Sequence, residues 1–275
     1  MKFGIVANVT NPKAVKLARS VINVLKPEVE IVITQELGKK LGTKGIKTAT
    51  IDKFNKLKVD ILITLGGDGT ILRALQQCNA NIFGINAGVL GFLTEVHEDQ
   101  AIDGLNRILD KDYVIDERAR LKTVVNRKRL FDATNEAVIH TAHIAKMRHY
   151  EVFVDDDMAQ SIRADGVIIA TPTGSTSYAM SAGGPILDPR VEAFIIIPIA
   201  PFKLSARPMV VPIDSTISIR LLTPKRPSLL VLDGQGEYKI KTNDKVTFSR
   251  SESPAKFIKF EPDFYKRIEE KLTIG

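Results

Sequence analysis

Cysteine is almost absent from this sequence of 275 residues, in which Cys78 stands alone. A single cysteine excludes an intramolecular disulfide and any metal site built from several cysteines, and this favours a reducing compartment. The chain also lacks an apolar run approaching about 18 residues, the length that a membrane-spanning helix requires, and no basic segment precedes its first apolar run. These absences predict a cytoplasmic protein that does not act at a membrane.

The composition is that of a globular protein, with 44% hydrophobic and 26% charged residues, and the length allows one large or two ordinary domains. A net charge of +7 and a pI near 9.3 favour anionic partners. The Lys and Arg residues are scattered, however, and no RNA-binding or helix-turn-helix signature accompanies them. Binding of nucleotide phosphates would explain the positive net charge of the protein, and no specific nucleic-acid partner is predicted.

A glycine-rich turn, Gly66-Gly67-Asp68-Gly69-Thr70, follows the apolar run 59–65, which is typical of a strand buried on both faces. Its glycines let the backbone approach a ligand, and we expect Thr70 to cap a helix over residues 71–77 whose N–H groups face a phosphate. Asp68 would repel that anion unless it held a metal ion or accepted a proton, so we expect chemistry here. The alternative is an ordinary turn with Asp68 as a solvated cap.

The first 110 residues alternate strands with helices. Asn11-Pro12 precedes an apolar stripe at helical spacing, and another amphipathic helix is expected over residues 98–109. This alternation implies a parallel sheet with right-handed crossovers, in which ligands bind at the carboxyl ends of the strands. Asn86 follows one such strand, opens a second loop over residues 86–93 and is a candidate ligand contact. The expected strands are residues 3–9, 29–34, 46–51, 59–65 and 81–85.

Beyond Lys111 the apolar period changes from about 3.6 to about 2 residues, which predicts a second, strand-rich domain. Turn residues typical of hairpins stand at Asn126-Arg127-Lys128, Asp155-Asp156-Asp157 and Gly234-Gln235-Gly236. The expected strands are residues 113–125, 130–139, 149–154, 166–170, 193–199, 216–222, 228–232 and 246–249.

The last amphipathic segment, residues 262–272, is expected to form a helix that packs on the first domain, because a parallel sheet requires helices on both faces. We therefore predict an α/β plus β fold. Its first domain would span residues 1–110 and be completed by residues 255–275, and its β-rich domain would span residues 111–254.

Two stretches of the second domain have the side chains of a nucleotide site. Asn135 and Glu136 can together donate to and accept from ribose hydroxyls or an adenine edge, although a polar strand edge is the alternative. The apolar strand after Asp165 opens into a hydroxyl-rich glycine loop, residues 171–178, extended by Gly183-Gly184-Pro185. This loop offers N–H groups, hydroxyls and one aromatic ring to a nucleotide, and a plain surface loop is the alternative.

Metal and hydrolase chemistry based on the remaining polar residues is disfavoured. His140 and His143 would point to opposite faces of a strand, and no cysteine or carboxylate spacing completes a zinc site with His149. Ser175 and Ser177 lack the strained strand-turn-helix elbow of a nucleophilic serine. We therefore interpret the histidines as structural.

Five motifs stand in a fixed order: the 66–70 turn, the 86–93 loop, Asn135-Glu136, residues 165–178 with Gly183-Gly184-Pro185, and Leu204-Ser205-Ala206-Arg207-Pro208. In this order the chain resembles the NAD kinases over nearly its whole length. The first turn is shared with diacylglycerol kinase-like and phosphofructokinase-like enzymes, whereas the later motifs belong to this family.

The resemblance implies a Rossmann-like α/β domain and a β-rich, sandwich-like domain joined by two crossings. It implies transfer of a phosphoryl group from ATP or polyphosphate to the 2′-hydroxyl of the adenosine ribose of NAD, which gives NADP. A divalent metal cation, expected to be magnesium, would take part, and the protein would form a homodimer or homotetramer.

The resemblance also implies roles for particular residues. Asp68 would be the general base, with Gly69 and Arg73 where the phosphates are held, and Asn135 and Glu136 would hold ribose and base. Further substrate contacts are implied for Lys146, Arg163, Asp165, Thr173, Thr176, Ser177, Tyr178, Ala179, Met180, Ser181 and Gln235. No residue is assigned as a metal ligand.

Two other classes of function stay open from the sequence. A lipid or sugar kinase would share the glycine turn but would not need the loop at residues 165–178. A catalytically silent NADP-binding regulator would keep every binding residue, and turnover alone would distinguish it.

Overall fold

The computed structural model describes residues 1–88, 91–143, 146–222 and 227–273, so that residues 89 and 90 of the expected 86–93 loop lie outside it. The chain forms two compact units. The first, called the α/β unit below, comprises Met1–Glu117 and Ala255–Gly275, and the second, the β-rich unit, comprises Arg118–Pro254. The chain thus leaves the α/β unit, builds the β-rich unit and returns.

A largely parallel sheet forms the centre of the α/β unit, with strands numbered along the whole chain. They are β1 (Lys2–Ala7), β2 (Glu30–Thr34), β3 (Lys47–Ala49), β4 (Ile61–Gly66), β5 (Asn81–Asn86), β6 (Val96–His97), β7 (Val114–Arg118) and β20 (Ala255–Lys259). Their order is β3-β2-β1-β4-β5-β20-β7, with β6 paired to β5. The winding reverses between β1 and β4, and the carboxyl ends of strands at such a reversal form a ligand-binding crevice.

Helices cover both faces of this sheet, which explains its continuous apolar strands. Alternate residues of β4 enter two cores, since Ile63 belongs to one and Leu62 to the other. Helix α1 packs into the first core, and α3 packs into the second through Ile71. The side chain of Asn11 caps α1 by accepting the N–H of Lys13. The helices of this unit are α1 (Pro12–Leu25), α2 (Gln35–Leu41), α3 (Asp68–Leu75), α4 (Ala101–Leu109) and α6 (Phe264–Ile268).

Two expected helices differ from those in the structure. Helix α3 begins at Asp68 with Gly67 as its N-cap residue, so the expectation that Thr70 caps a helix over residues 71–77 is wrong. Thr70 is buried in the first turn, where its hydroxyl lies 2.5 Å from the position that a Cβ at Gly66 would take. The closing segment forms α6 and continues as a π-helical turn over Glu269–Thr273.

The β-rich unit contains two six-stranded antiparallel sheets and the short helix α5 (Tyr178–Ser181). One sheet has the order β15-β14-β13-β10-β17-β18 and the other has the order β12-β11-β16-β19-β8-β9. The strands are β8 (Leu121–Val125), β9 (Lys128–Arg129), β10 (Glu136–Thr141), β11 (Arg148–Val154), β12 (Asp157–Ala164), β13 (Gly166–Ala170), β14 (Ala193–Ile199), β15 (Met209–Pro212), β16 (Ile217–Leu221), β17 (Ser228–Leu232), β18 (Gly236–Ile240) and β19 (Val246–Arg250).

The core of this unit explains the unbroken apolar run of β13. Val167 and Ile169 face the large core that both sheets share, whereas Ile168 faces a second small core. Ala179 of α5 is fully buried in that small core. A central strand covered on both faces needs no polar alternation, which is why its bounds were predictable.

The three expected hairpins are confirmed. β8 joins β9 through Asn126 and Arg127, and both residues have positive φ angles, as a two-residue type I′ turn requires. β11 joins β12 through Asp155 and Asp156 in the same way. A third turn, which includes Gln235, joins β17 to β18.

Other strand predictions were wrong. The expected strand 113–125 is two strands, because β7 joins the α/β sheet and β8 joins the β-rich unit. The expected strand 130–139 begins only at Glu136. Strand β12 was missed because most of its residues are exposed and show no apolar alternation, and β15, β18 and β20 were also missed.

The predicted α/β plus β fold class is confirmed. In the part of the chain that the structure describes, no helix is both long enough and apolar enough to cross a membrane.

Cys78 is buried without a disulfide partner, and this burial raises the pKa of its thiol.

The returning strand β20 should stabilise the α/β unit through Phe257, which is 3% exposed and pairs with Ile82. Phe257→Ala should lower the free energy of unfolding by about 3 to 5 kcal/mol, because it removes a buried ring. Its neighbour Lys256 makes an ion pair with Glu117 at 3.3 Å and is the matched control, whose alanine variant should cost at most about 1 kcal/mol. Urea unfolding would measure both, and equal midpoints for the two variants would contradict this role.

Candidate active site

The glycine turn places Asp68 at the carboxyl end of β4, beside the winding reversal. Gly66 ends this strand, and Asp68 is the first residue of α3. Gly67 and Gly69 have open space where a Cβ would stand, so their backbone is accessible. Accessible N–H groups at the start of a helix suit an anion, so the turn can receive a phosphate although α3 begins at Asp68 and not after Thr70.

The Asp68 carboxylate is held by the backbone of the next loop. Its Oδ2 accepts the N–H of Phe92 at 2.8 Å, and its Oδ1 accepts the N–H of Leu93 at 3.1 Å. A Cβ at Gly91 would lie 1.8 Å from Oδ1, so only glycine permits this approach. Each oxygen keeps a lone pair, because a carboxylate can accept about four hydrogen bonds. Asp68 is thus oriented and still able to accept a hydroxyl proton.

Arg73 and Asp68 have different neighbours in the structure. Arg73 lines a cavity of about 190 Å³ beside the carboxyl ends of β2 and β3, together with Thr34, Thr50 and Gln77. Within the described residues its Nε has no hydrogen-bond partner. Asn86, expected as a ligand contact, is fully buried, and its Oδ1 accepts the N–H of Gly88 at 2.6 Å.

The second group of candidate residues lies in the β-rich unit, around a turn that precedes β10. Asp233 accepts three consecutive N–H groups there, from Thr134 at 2.8 Å, from Asn135 at 2.7 Å and from Glu136 at 3.2 Å. On the other side of the turn, the Thr171 hydroxyl donates to the Thr134 carbonyl at 2.5 Å. The backbone of the turn is therefore anchored on both sides, which leaves its side chains for other contacts.

Three buried oxygens of this turn, Thr134 Oγ1, Asn135 Oδ1 and Glu136 Oε2, have no hydrogen-bond partner among the described residues. Buried polar atoms are usually paired, so unpaired ones mark a place where a ligand or water binds. Burial raises the pKa of Glu136 to about 8, the charge of Asp233 adds to this shift, and a hydrogen bond from Ser177 opposes it. At neutral pH, Glu136 is thus largely protonated and can donate a hydrogen bond.

Burial also raises the pKa of Asp233, against the opposing effect of its three N–H donors and of Arg120. These donors favour the charged form of Asp233, and we assign the negative charge of the pair to it. Sequence reasoning missed Asp233 as a site residue. The available signal was its place directly before the Gly234-Gln235-Gly236 turn, since a carboxylate in a tight turn often accepts backbone N–H groups.

The hydroxyl-rich loop starts as a 3₁₀ turn over Thr173–Thr176 and continues into α5. A Cβ at Gly174 would lie 2.1 Å from the Asn135 carbonyl oxygen, so this glycine lets the loop lie against the 134–136 turn. Ser177 donates to Glu136 Oε1 at 3.4 Å. The structure therefore brings Asn135, Glu136 and the loop together.

The expected contact residues of this loop differ in exposure. Tyr178 and Ser181 are exposed, while Thr176, Ser177 and Met180 are half-buried. Thr173 and Ala179 are buried, the latter in the small core, where it acts as a packing residue.

The remaining expected contacts lie around the same unit. Lys146 and Gln235 are exposed, and Gln235 sits in the β17–β18 turn. Arg163 is exposed on β12, with its guanidinium 5.6 Å from the centre of the Phe202 ring. Asp165 is half-buried, and its Oδ1 has no hydrogen-bond partner among the described residues.

Both halves of the chain match known family domains. Residues 3–113 match the ATP-NAD kinase N-terminal domain, and residues 134–260 match the ATP-NAD kinase C-terminal domain. The chain belongs to the ATP-NAD kinase family.

Relatives in this family match the chain from end to end. An NAD kinase of Methanothermobacter thermautotrophicus is 43% identical over 283 residues, which cover 100% of this chain and 97% of the relative. An NAD kinase of Thermoplasma volcanium is 41% identical over 272 residues, which cover 99% of this chain and 98% of the relative. The family assignment thus rests on the whole sequence.

Two solved structures have the same fold. The NAD kinase from Archaeoglobus fulgidus in complex with ATP has a TM-score of 0.83 and 31% identity, with 100% of both chains covered. Yeast NADH kinase complexed with NADH has a TM-score of 0.90, and the match covers 99% of this chain and 87% of that chain. At 24% identity, this second likeness concerns the fold alone.

The family resemblance implies a divalent cation. Within the described residues, no three His, Cys, Asp or Glu side chains converge on a position where they alone would hold a metal ion. Magnesium in nucleotide enzymes is usually held by one or two carboxylates together with the phosphates of the substrate. Asp68 suits that donor set, since each of its oxygens retains a lone pair. The residues of the glycine turn therefore fit a cation that arrives with a nucleotide.

The raised pKa of Glu136 predicts a pH dependence of stability. The folded protein keeps a proton up to about pH 8, whereas the unfolded chain releases it near pH 4.5, so the contribution of Glu136 to the free energy of unfolding falls as pH rises between these values. Glu136→Gln removes this titration. Relative to the parent, the variant should therefore gain stability from pH 5 to pH 8, as measured by urea unfolding.

Glu237→Gln is the control, because it removes an exposed carboxylate of the same unit. If the difference between Glu136→Gln and the parent stays constant with pH, Glu136 does not carry the proton in the folded state.

Proposed function

We propose that this protein is an NAD kinase that transfers the terminal phosphoryl group of ATP to the 2′-hydroxyl of the adenosine ribose of NAD, giving NADP. The observation that carries the proposal is the placement of Asp68, an oriented carboxylate in a glycine turn at the carboxyl end of β4. Relatives named NAD kinase match the whole chain, and one NAD kinase of this fold is described in complex with ATP.

In this proposal Asp68 accepts the proton of the ribose hydroxyl. A hydroxyl is a weak nucleophile, and phosphoryl transfer asks the protein mainly to position it and to take its proton. The N–H groups of Phe92 and Leu93 hold the carboxylate while leaving a lone pair on each oxygen. The open backbone at Gly67 and Gly69 would allow the phosphates to approach the start of α3.

The β-rich unit would bind the adenosine part of NAD. Asn135 and Glu136 present buried oxygens that have no partner among the described residues, and the protonated Glu136 can donate to a ribose oxygen or a ring nitrogen. Tyr178 is exposed and can stack on a base. Arg163 and Lys146 are exposed cations that can pair with a pyrophosphate.

Further properties follow from the sequence and the family. A divalent cation, which we propose to be magnesium, would neutralise charge on the phosphates when bound. Polyphosphate is a second candidate donor. The single cysteine supports a cytoplasmic location. The family resemblance supports a homodimer or homotetramer, and the exposed side chains of Phe202 and Leu204 are available for such contacts.

A coupled assay tests the function directly. Purified protein with NAD, ATP and magnesium should form NADP, which a dehydrogenase specific for NADP would detect. A lipid or sugar kinase that shares the glycine turn would show no NADP and would leave NAD unbound. A silent regulator would bind NADP without turnover. Replacing ATP by polyphosphate, and NAD by NADH, would define the donor and the acceptor.

Asp68→Asn tests the proposed base. The rate should fall by roughly 10²- to 10⁴-fold, because the amide cannot take a proton, while NAD affinity, measured by calorimetry, should change little. Asp60 provides the control, since it lies just before β4 and accepts the N–H of Lys2 at 2.8 Å. Asp60→Asn should keep the parental rate. Restoration of Asp68→Asn by excess metal would make Asp68 a metal ligand instead, and an unchanged rate would make the turn structural.

Arg163→Ala tests the proposed pyrophosphate contact. The Michaelis constant for NAD should rise by about 10- to 100-fold, because a charge-assisted hydrogen bond contributes about 1.5 to 3 kcal/mol. Arg220 is the matched control, because it also lies on an exposed strand position and its guanidinium is 5.0 Å from the centre of the Phe153 ring. If Arg163→Ala and Arg220→Ala change NAD kinetics equally, Arg163 is not a substrate contact.

A further inference from the structure

The loop that holds Asp68 is itself held by the returning C-terminal segment. Arg267 of α6 is 5% exposed, and it donates from Nη1 to the Gly91 carbonyl at 3.0 Å and from Nη2 to the Glu95 carbonyl at 3.1 Å. Between these two carbonyls lie Phe92 and Leu93, whose N–H groups bind the Asp68 carboxylate. One guanidinium therefore spans the segment that orients Asp68.

The contact at Gly91 bears directly on Asp68, because the Gly91 carbonyl and the Phe92 N–H belong to the same peptide group. That group is planar, so fixing the direction of its oxygen also fixes the direction of its N–H. Arg267 binds the oxygen, and Asp68 accepts the N–H. A cation on the carbonyl also polarises the peptide and strengthens its N–H as a donor.

Arg267 is in turn oriented by acidic neighbours. Its Nε donates to Asp263, and its Nη2 lies 3.8 Å from a carboxylate oxygen of Glu95. Lys259 of β20 donates to Glu95 at 2.5 Å and to Asp263 at 3.1 Å. Burial works to raise the pKa of Asp263, but the charges of Lys259 and Arg267 outweigh it and hold that pKa below its usual value. These four side chains form a paired network that leaves the guanidinium fork in one position.

A second cation of the C-terminal segment lies nearby. The Nζ of Lys271 is 4.5 Å from the centre of the Phe92 ring, and its charge interacts with that of Asp68. Burial lowers the pKa of Lys271, and Asp68 opposes this. Any test of Arg267 must therefore separate its effect on the direction of the peptide from a simple change of charge around Asp68.

We propose that Arg267 is a positioning residue for the phosphoryl-transfer reaction, which acts on Asp68 through the peptide group between Gly91 and Phe92. The inference rests on the proposed function, in which Asp68 accepts the hydroxyl proton. A role limited to anchoring α6 would predict lost stability alone. Positioning predicts that the turnover number and the hydrogen bond from the Phe92 N–H to Asp68 change while NAD binding is kept.

Arg267→Lys is the variant that tests this. It keeps the buried positive charge, whereas one ammonium group cannot reproduce the planar fork that binds two carbonyls. The turnover number should fall by about 10- to 100-fold, because a small displacement of a catalytic group has an effect of this size, and the Michaelis constant for NAD should stay within about twofold. Lys266→Ala is the control, since Lys266 is its exposed neighbour on α6, and it should keep parental kinetics.

A double-mutant comparison distinguishes positioning from anchoring. In an Asp68→Asn background, Arg267→Lys should lower the rate little further, because the two residues act as one unit. Parental kinetics in Arg267→Lys, or equal losses in both backgrounds, would overturn the proposal.

A readout without turnover separates this inference from the proposed function. In protein labelled with ¹⁵N-phenylalanine, the Phe92 N–H resonance is identified by its absence in Phe92→Leu, and its proton should move upfield in Arg267→Lys, because the hydrogen bond from Phe92 to Asp68 weakens. If the parent makes no NADP, the function fails although this resonance still moves. Should Arg267→Lys not fold, Asp263→Asn, which weakens the orientation of the guanidinium, should move the resonance in the same direction. An unmoved resonance in a folded variant overturns the proposal.

Discussion

A buried backbone N–H group outside a strand or helix needs a hydrogen-bond acceptor. Near the candidate site residues of this protein, two aspartate side chains are those acceptors. Asp68 accepts two N–H groups of the α/β unit, and Asp233 accepts three of the β-rich unit. In each unit the loop that matters for function has no regular ladder to hold it. A carboxylate helps to fix the shape of each loop, together with Arg267 in the α/β unit and Thr171 in the β-rich unit. Loop geometry and site electrostatics are therefore coupled.

This shared constraint has opposite chemical results in the two units. Asp68 is half-buried and keeps lone pairs for a ligand, so its carboxylate remains available. Asp233 is buried, and its charge helps to raise the pKa of Glu136 to about 8. Two neighbouring buried carboxyl groups cannot both ionise easily, so one holds the backbone and the other stays protonated. The first unit thus presents a proton acceptor and the second presents a proton donor.

Much of the fold was predictable because it depends on local patterns. Residues close together in sequence determine the strand at 166–170 and the type I′ turn at Asn126 and Arg127. The predicted strand 130–139 failed because N–H groups around Asn135 bond to Asp233, about a hundred positions away in sequence. Asp68 was identifiable from its glycine turn. The N–H groups of Phe92 and Leu93 that hold it were not, because every residue except proline has a backbone N–H group and the sequence does not distinguish them.

The separation of Asp68 and Arg73 also has a geometric cause. Five residues along an α-helix correspond to about 140° of rotation, so two side chains at this spacing leave α3 in different directions. Arg73 accordingly faces the carboxyl ends of β2 and β3, and Asp68 faces the loop at Phe92. Two basic residues near the Asp68 loop come instead from the far end of the chain, after the returning strand β20. Arg267 binds the Gly91 carbonyl, and the charge of Lys271 interacts with that of Asp68. The return of the chain to the α/β unit thus brings two basic residues into contact with the loop that orients Asp68.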